Sequence, residues 1–227
     1  MKNLQGISFL FLLLIFLTGC NGWVSPETDG RLTDRYFTVL SGPPIPGFIV
    51  ASAVQWNADY AVTAAHTPFL RNQAYRCSTG CDLLFIAHKA DGALPQWRHF
   101  RPGETVTALG SSTLLIPMSA TGRIWPVPFV DGGSASGERY GVHDAAMAKG
   151  MSGGPLIGSD GSVLGINIGF QAGFRPPSNR PELAGMSRLS VFVPYSVIQR
   201  EWLLFQAQAA RKAAQASDGA NLQAKNQ

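Results

Sequence analysis

The sequence predicts an all-β fold that ends in a single C-terminal helix. The chain has 227 residues, among which 25 glycines and 15 prolines are spread along its length and separate short apolar stretches. Turn signals at such intervals favour many short strands. The clearest of them is Asp160-Gly161, a dipeptide typical of a tight hairpin. Ten stretches are predicted as strands: residues 36–40, 48–55, 61–63, 83–88, 105–109, 113–117, 122–127, 155–157, 163–169 and 189–193.

The end of the chain has helical periodicity instead. Ile198, Trp202, Phe205 and Ala209 recur every three or four residues, which places them on one face of a helix. We expect this face to pack on the β-structure. Because the chain beyond Ala213 is rich in Ala, Gln, Asn and Asp, residues 205–227 are predicted to hold the end of the helix and a disordered tail.

The first residues predict a targeting segment that is no part of the fold. Lys2 supplies a positive charge, and the apolar run over residues 7–17 is shorter than the roughly 20 residues that a membrane-spanning helix needs. Leu17-Thr18-Gly19-Cys20 closes the run and resembles the bacterial lipobox. The resemblance implies a lipoprotein signal peptide over residues 1–19 and a lipidated tether over residues 20–35. The alternative is an ordinary secretory signal with an incidental cysteine.

Acylation of Cys20 would decide where the protein resides. A diacylated cysteine that also carries palmitate anchors a protein stably, whereas one acyl chain binds a membrane only marginally. Asn21 follows the cysteine, and in bacterial lipoproteins an Asp at this position favours retention in the inner membrane. We therefore expect a lipid-anchored protein of the bacterial cell envelope, in the outer membrane and facing the periplasm.

The chain has three cysteines, so lipidation of Cys20 would leave Cys77 and Cys81. They bracket Ser78-Thr79-Gly80, which is a predicted turn, and an oxidising compartment permits a disulfide between them. This disulfide would fix the turn just before Asp82. A metal site would need further ligands at suitable spacing, so neither a metal nor another cofactor is predicted.

The charge distribution does not favour nucleic-acid binding. The formal net charge is +4, but the basic residues are scattered without a long run. Trp97, Arg98, His99 and Arg101 form too small a cluster to indicate such a site. An ordinary solvated surface explains the charge better.

The motif with the most chemical content is Gly150-Met151-Ser152-Gly153-Gly154-Pro155. A serine between glycines is a hydroxyl presented on a tight turn, and it needs a base to become a nucleophile. All four histidines, at positions 66, 88, 99 and 143, precede Ser152. This excludes the α/β-hydrolase order, in which the histidine comes last. His66, at the end of Val62-Thr63-Ala64-Ala65-His66, is the candidate base.

A carboxylate must orient the base, and Asp82 lies between the two candidates in the chain. Only 16 positions separate His66 from Asp82, yet one extended strand and a tight turn fit in that length at about 3.3 Å per residue. Asp91 remains the alternative acid, although Lys89-Ala90-Asp91-Gly92 is more typical of a turn. The order of the subtilisins would need an aspartate before His66, and none lies in a suitable motif.

These motifs together resemble the trypsin-like serine peptidases, in particular the bacterial HtrA-like members. Tyr60 to His66 is similar to their histidine motif, Asp82-Leu83-Leu84-Phe85-Ile86 to their aspartate strand, and Gly150 to Pro155 to their serine motif. The resemblance covers residues 36–204 and implies a chymotrypsin fold of two six-stranded antiparallel β-barrels. The interval between His66 and Asp82 is shorter than is common in the family. About 23 residues follow Leu204, too few for a PDZ domain.

The resemblance also implies roles for the site residues. Ser152 is the nucleophile, His66 the base and Asp82 the group that orients it, while the N–H groups of Gly150 and Ser152 form the oxyanion hole. Ala146 lies near the base of the primary pocket, and Ile168, Gly169 and Phe170 form its far wall. Asp144 could also reach in. Without an acid at the base, the pocket is expected to take a small or medium apolar side chain.

The sequence thus predicts a serine endopeptidase that acts on proteins or peptides through an acyl-enzyme. Two alternatives remain open at this point. One is a chymotrypsin-fold pseudoenzyme that serves as a binding module at the envelope, a reading favoured by the short interval between His66 and Asp82. The other is a structural lipoprotein with a β core.

Overall fold

The computed structural model describes residues 21–42, 49–130 and 137–225. The predicted signal peptide and the lipidation site at Cys20 lie outside these residues. None of the helices in the described ranges is both long enough and apolar enough to cross a membrane.

The structure is built mainly of short antiparallel strands. The strands are β1 (Ser25–Pro26), β2 (Phe37–Ser41), β3 (Ile49–Gln55), β4 (Tyr60–Thr63), β5 (Gln73–Arg76), β6 (Leu84–Ala87), β7 (Thr105–Ser111), β8 (Pro117–Val130), β9 (Arg139–His143), β10 (Pro155–Gly158), β11 (Val163–Gln171) and β12 (Leu189–Pro194). The helices are α1 (Gly30–Thr33), a short 3-10 helix (Pro181–Leu183) and α2 (Tyr195–Lys225).

Strands β7 to β12 form a closed six-stranded barrel. Their order is β8-β7-β10-β11-β12-β9, and β9 pairs back onto β8. Closure is possible because β8, at 14 residues, is long enough to pair first with β7 and then with β9. Strand β1 adds to the edge of β8. The predicted Asp160-Gly161 hairpin joins β10 to β11. Side chains from several strands fill the interior without exposure, including Leu156, Leu164 and Phe192.

The N-terminal half forms a five-stranded sheet in the order β2-β3-β4-β6-β5. The second six-stranded barrel of the prediction is therefore not confirmed. The short segment between His66 and Asp82, which are 16 positions apart, provides a reason, because it holds β5, the disulfide turn and one loop, with no room for another strand. Within the described ranges, β2 and β5 are the edges of this sheet, and a groove of about 700 Å³ lies between β2 and the chain that enters β5.

Helix α2 packs on the N-terminal sheet through the predicted aromatic face. The ring of Trp202 lies 5.3 Å from Tyr60 and 5.5 Å from Phe85, and Phe205 lies 5.1 Å from Tyr75. Ile198 is fully buried, but Ala209 is exposed, so the packed face ends one turn earlier than expected. The helix continues to Lys225, where the sequence predicted a disordered tail, because alanine, glutamine and the basic residues of this segment are strong helix formers.

One predicted strand is wrong. The predicted strand over residues 113–117 is instead a tight loop over residues 113–116, and Pro117 begins β8. The side-chain oxygen of Ser112 accepts hydrogen bonds from the N–H groups of Leu114 and Ile116, and this local bonding competes with strand formation. The loop leaves Leu114, Leu115 and Ile116 exposed beside the start of β8.

Candidate active site

Ser152 lies on a turn that both halves of the molecule hold in place. The carbonyl of Ser152 accepts a hydrogen bond of 2.8 Å from the N–H of Ser52 on β3. The next N–H, that of Gly153, donates to the carbonyl of Asn167 on β11 at 2.7 Å. The candidate nucleophile thus stands where the N-terminal sheet meets the barrel.

Two glycines of the motif are required by the backbone. Gly150 and Gly153 have φ angles of +97° and +82°, which other residues rarely adopt. A Cβ at Gly153 would lie 2.0 Å from the carbonyl oxygen of Ser52 and 2.4 Å from Oγ1 of Thr63. A Cβ at Gly150 would lie 2.5 Å from the carbonyl oxygen of Ser111. The turn can therefore approach its neighbours closely only with glycine at both positions.

His66 and Asp82 are brought together by the pairing of β4 with β6. Thr63 lies opposite Leu84, so the chain leaving β4 and the chain entering β6 meet at the same end of the sheet. Nδ1 of His66 lies 2.6 Å from one carboxylate oxygen of Asp82, and the backbone N–H of His66 donates to the other at 2.8 Å. The short interval in sequence thus still aligns the acid with the histidine. Asp91, the alternative acid, is exposed beyond β6 and makes no bond to His66 in the described structure.

The contact with Asp82 determines the electronic state of His66. Because the carboxylate accepts at Nδ1, the neutral ring carries its proton there and has a lone pair at Nε2. The hydrogen bond to Asp82 raises the pKa of His66 above its ordinary value of 6.5, and burial opposes this only in part. The half-exposed side chain of His66 leaves the ring accessible from solvent. A histidine in this state can accept a proton.

The turn that carries Ser152 lies beside the chain segment that leads to His66, and the described structure has no hydrogen bond between the two side chains. A side chain at Gly153 would reach the backbone nitrogen of Ala64, two residues before His66, so the turn lies beside the chain that carries the histidine. In the described ranges no hydrogen bond joins the hydroxyl of Ser152 to His66. Such bonds are often long without substrate and shorten when it binds.

The proposed oxyanion donors are available. In the part of the chain that the structure describes, neither the N–H of Gly150 nor that of Ser152 donates to a protein group, whereas the N–H of Met151 between them donates to the carbonyl of Ala148. Two N–H groups of the serine turn are therefore unpaired within the described residues. Acyl transfer requires fixed donors directed at the developing oxyanion.

The predicted disulfide is present and closes the turn before Asp82. Cys77 and Cys81 are bonded, with their Cα atoms 5.4 Å apart. On the other side, the hydroxyl of Tyr140 on β9 accepts the N–H of Asp82 at 2.9 Å. Asp82 is thus held by the disulfide turn on one side and by the barrel on the other.

A buried glutamate that the sequence did not reveal supports the same turn. Glu201 on α2 is fully buried and accepts hydrogen bonds from the N–H and the hydroxyl of Ser78, at 2.7 and 3.1 Å. Tyr75 and Arg200 also donate to its carboxylate. These hydrogen bonds satisfy the buried carboxylate of Glu201 and join the C-terminal helix to the disulfide turn. Its position beside Trp202 gave no signal in sequence, because a charged residue there suggests a solvated face.

Behind the serine turn lies a second buried group, formed by His143 and Asn167. The side-chain amide of Asn167 donates to the carbonyls of Gly154 and Pro155, and its oxygen lies 3.1 Å from Nε2 of His143. Burial lowers the pKa of His143 to about 4, so the ring is neutral at pH 7. Because the oxygen of Asn167 accepts, Nε2 of His143 carries the proton. This pair fixes the orientation of the amide that holds the turn.

The residues of the predicted pocket differ in burial. Ala146 and Ile168 are buried, whereas Gly169 and Phe170 are half-buried. Asp144, which the sequence analysis suggested could reach into this pocket, accepts hydrogen bonds at its carboxylate from the backbone N–H of Arg123 at 2.7 Å and the indole N–H of Trp125 at 3.0 Å.

The site has no set of metal ligands. Across the described ranges, no three side chains of His, Cys, Asp or Glu converge in a way that could hold a metal ion. The chemistry available to these residues is proton transfer and nucleophilic attack.

Parts of the sequence are similar to known serine proteases. A stretch of 96 residues is 38% identical to serine protease HTRA1 of Xenopus laevis, covering 38% of this chain and 20% of that protein. A stretch of 110 residues is 33% identical to serine protease HTRA3 of Rattus norvegicus, covering 43% of this chain and 21% of that protein. The chain therefore spans about a fifth of the length of these curated relatives. No family model matches it.

Solved structures agree on the fold. The active form of the protease Rv3671c from M. tuberculosis superposes with a TM-score of 0.58 at 16% identity, covering 78% of this chain and 86% of that one. The HtrA-type protease AlgW with a tripeptide superposes with a TM-score of 0.55 at 18% identity, covering 74% and 58%. The closed barrel and the C-terminal helix are consistent with a chymotrypsin fold. In fold and in sequence the chain resembles the catalytic domain of trypsin-like, HtrA-type serine proteases.

Proposed function

We propose that this protein is a serine endopeptidase that hydrolyses peptide bonds in proteins or peptides through an acyl-enzyme. The observation that carries the proposal is the contact between Nδ1 of His66 and the carboxylate of Asp82, at 2.6 Å, beside a glycine-rich turn that presents Ser152. The similarity to HTRA1 and HTRA3 supports the same class of reaction.

In the proposed reaction, the oxygen of Ser152 attacks the carbonyl carbon of the scissile bond while Nε2 of His66 takes the hydroxyl proton. The carboxylate of Asp82 stabilises the resulting imidazolium. The N–H groups of Gly150 and Ser152 bind the oxyanion, and each fixed donor of this kind contributes about 2.7–4 kcal/mol in the transition state. The imidazolium then gives its proton to the leaving amine. Water repeats the sequence on the ester and frees Ser152.

The primary pocket is proposed to take a small or medium apolar side chain. Ala146 at its base carries no charge, and the carboxylate of Asp144 is already bound to Arg123 and Trp125. A basic side chain would find no partner there. A substrate series that varies only the residue before the scissile bond tests this selectivity.

Hydrolysis of casein and of short peptides tests the proposed activity. We expect Ser152→Ala and His66→Ala each to abolish turnover, and the double variant to be no worse than either, since the residues of a triad act as a unit. Comparable turnover in Ser152→Ala would reject the peptidase assignment. The absence of a hydrogen bond between Ser152 and His66 favours a second candidate, a pseudoenzyme that binds partners. Undetectable wild-type turnover on every substrate would favour that candidate.

The protein is further proposed to be anchored to the bacterial envelope through Cys20. The support is the sequence Leu17-Thr18-Gly19-Cys20 after an apolar run. Cys20→Ala is expected to release the protein from membranes and to leave its catalytic domain active. Mass spectrometry of the N-terminus should find a diacylglyceryl group in the wild-type protein. An unmodified cysteine in a bacterial host would contradict the proposal.

A further inference from the structure

Asn21 bridges the two chain segments that, under the proposed function, flank the primary pocket. Its side-chain oxygen accepts the N–H of Met147 at 2.7 Å, and its backbone N–H donates to the carbonyl of Met147 at 3.3 Å. Its amide nitrogen donates to the hydroxyl of Ser190 at 2.8 Å and to the carbonyl of Leu189 at 3.2 Å. Asn21 thus joins the loop before Ser152 to the start of β12.

The hydroxyl of Ser190 completes the connection. It is fully buried and donates to the carbonyl of Ala145 at 2.8 Å. Asn21 therefore holds one side of Ala146 through Met147 and the other side through Ser190 and Ala145. The bonded residues Ala145 and Met147 flank Ala146, the residue proposed for the base of the pocket, and the loop they hold continues directly to Gly150 and Ser152.

The segment that follows Asn21 has contacts of its own with the barrel, because Val24 packs on the core and the N–H of Glu27 donates to the carbonyl of Pro117 at 2.9 Å. Strand β1 contributes only Ser25 and Pro26 to the edge of β8, and the side chain of Trp23 is 82% exposed. Loss of the Asn21 contacts should therefore loosen the loop over residues 145–151 without unfolding the barrel. An asparagine suits the position because one side chain supplies both the acceptor for Met147 and the donors for Ser190 and Leu189.

We propose that Asn21 is a positioning residue for the primary pocket, which it shapes by tying Met147 to Ser190. The inference rests on the proposed peptidase function. A protein that lacks residues 1–21 is therefore expected to keep the triad but to lose the contacts that fix the primary pocket, so it should bind substrate poorly. Asn21 also directly follows the proposed anchor at Cys20, which places the pocket next to the membrane attachment along the chain.

The test uses a soluble protein in which a short polar tag replaces residues 1–20, compared with Asn21→Ala, Asn21→Asp and the matched control Trp23→Ala. For a peptide with a small apolar residue before the scissile bond, we expect Asn21→Ala to lower kcat/KM about tenfold, mainly through a higher KM. Asn21→Asp keeps the acceptor for Met147 but sets a carboxylate oxygen against the carbonyl of Leu189 and the hydroxyl oxygen of Ser190, so its loss should be at least as large. Trp23→Ala should match the wild type. The pH at which activity falls on the acidic side should not move, because His66 is untouched.

Amide hydrogen exchange over residues 145–151 gives a readout that does not depend on turnover. We expect faster exchange there in Asn21→Ala than in Trp23→Ala. If the wild type hydrolyses peptides and Asn21→Ala has an unchanged KM, or if exchange over 145–151 is unchanged, the inference is overturned. If exchange changes as expected but the wild type shows no turnover, the tie between Asn21 and this loop stands and the proposed peptidase function fails.

Discussion

At the scale of single residues, the chemistry of the site depends on the proton held between His66 and Asp82. The carboxylate bonds to both the ring and the backbone N–H of His66, so the orientation of the ring and the tautomer are set by the same residue. The raised pKa of His66 follows from this contact. It has a direct consequence for how activity depends on pH.

We predict that the acidic limb of the pH profile of kcat/KM has its midpoint above pH 6.5, the ordinary pKa of histidine. His66 must be neutral to accept the proton of Ser152, and the bond to Asp82 favours the charged form. Asp82→Asn removes the negative charge that favours the imidazolium and allows the wrong tautomer, so the midpoint should move to lower pH while turnover falls by about 10⁴. Stopped-time assays from pH 5 to 9 measure both effects. An unchanged midpoint of the acidic limb in Asp82→Asn would show that Asp82 does not control the protonation of His66.

The His66–Asp82 contact also links pH to stability. Because the pKa of folded His66 is raised, its stabilising contribution is fully present below pH 6.5 and is lost as the pH rises through the raised value. The pair therefore stabilises the fold most where the proposed activity is lowest, since the protonated ring cannot act as a base.

At the scale of elements, the turn between β5 and β6 determines where Asp82 lies. Three groups hold this turn in place, and they come from different parts of the chain: the disulfide, the hydroxyl of Tyr140 and the carboxylate of Glu201. Helix α2 contributes through Glu201, so its packing matters for the site as well as for the core.

Loss of the disulfide should therefore reduce activity more than stability. The loop it closes is short, so the entropic stabilisation is about 2 kcal/mol in the chain-entropy model. A displacement of about 1 Å in a catalytic group, by contrast, costs on the order of 10²-fold in rate. The double variant Cys77→Ser/Cys81→Ser is expected to lower kcat by one to two orders of magnitude. Its melting temperature, measured on the same protein, should fall only modestly. Full activity in this variant would remove the role of the disulfide in placing Asp82.

Local motifs predicted the elements near the chemistry well. The strand before His66, the glycine-rich turn at Ser152 and the hairpin at Asp160-Gly161 each have short-range signals, and the structure contains each of them. The loop over residues 113–116 was predicted as a strand because residues 114–116 are apolar, but hydrogen bonds to the side chain of Ser112 determine its shape. A continuous apolar run does not distinguish these outcomes.

The supporting groups could not be predicted, because their partners are remote in sequence. Glu201 meets Ser78 across 123 positions, and Asn21 meets Ser190 across 169. From sequence periodicity, a glutamate on a helix is expected to face solvent. An asparagine in a predicted tether is expected to have no defined structure. Only the packing of α2 and the path of the N-terminal segment bring these polar groups to their partners.

At the scale of the whole molecule, a closed barrel and an open sheet meet at the site. The barrel supplies the serine turn with its support from Asn167, and the sheet supplies His66 and Asp82. The stability of the barrel therefore affects the position of Ser152, the candidate nucleophile. The buried His143 behind the serine turn makes that stability sensitive to acid.

We predict that His143 destabilises the fold in acid. Its pKa is about 4 when folded and near 6.5 when unfolded, so between these values the unfolded chain binds one more proton and stability falls as the pH falls. From pH 6.5 to 4.5 the loss from this group should be about 2 kcal/mol. His143→Gln keeps a donor for Asn167 but does not titrate. Over this pH range its free energy of unfolding, measured with urea, should therefore fall by about 2 kcal/mol less than that of the wild type. An identical loss in both proteins would rule out this role.

The central claim is that Ser152 is an activated nucleophile, and covalent labelling tests it most directly. A fluorophosphonate reacts with a serine that has a functional base and oxyanion hole, without requiring knowledge of the natural substrate. The soluble protein that begins at Asn21 should be labelled at Ser152, as located by peptide mass spectrometry, and labelling should slow sharply in His66→Ala. No labelling of Ser152 in folded protein, or equal labelling in His66→Ala, would contradict the account.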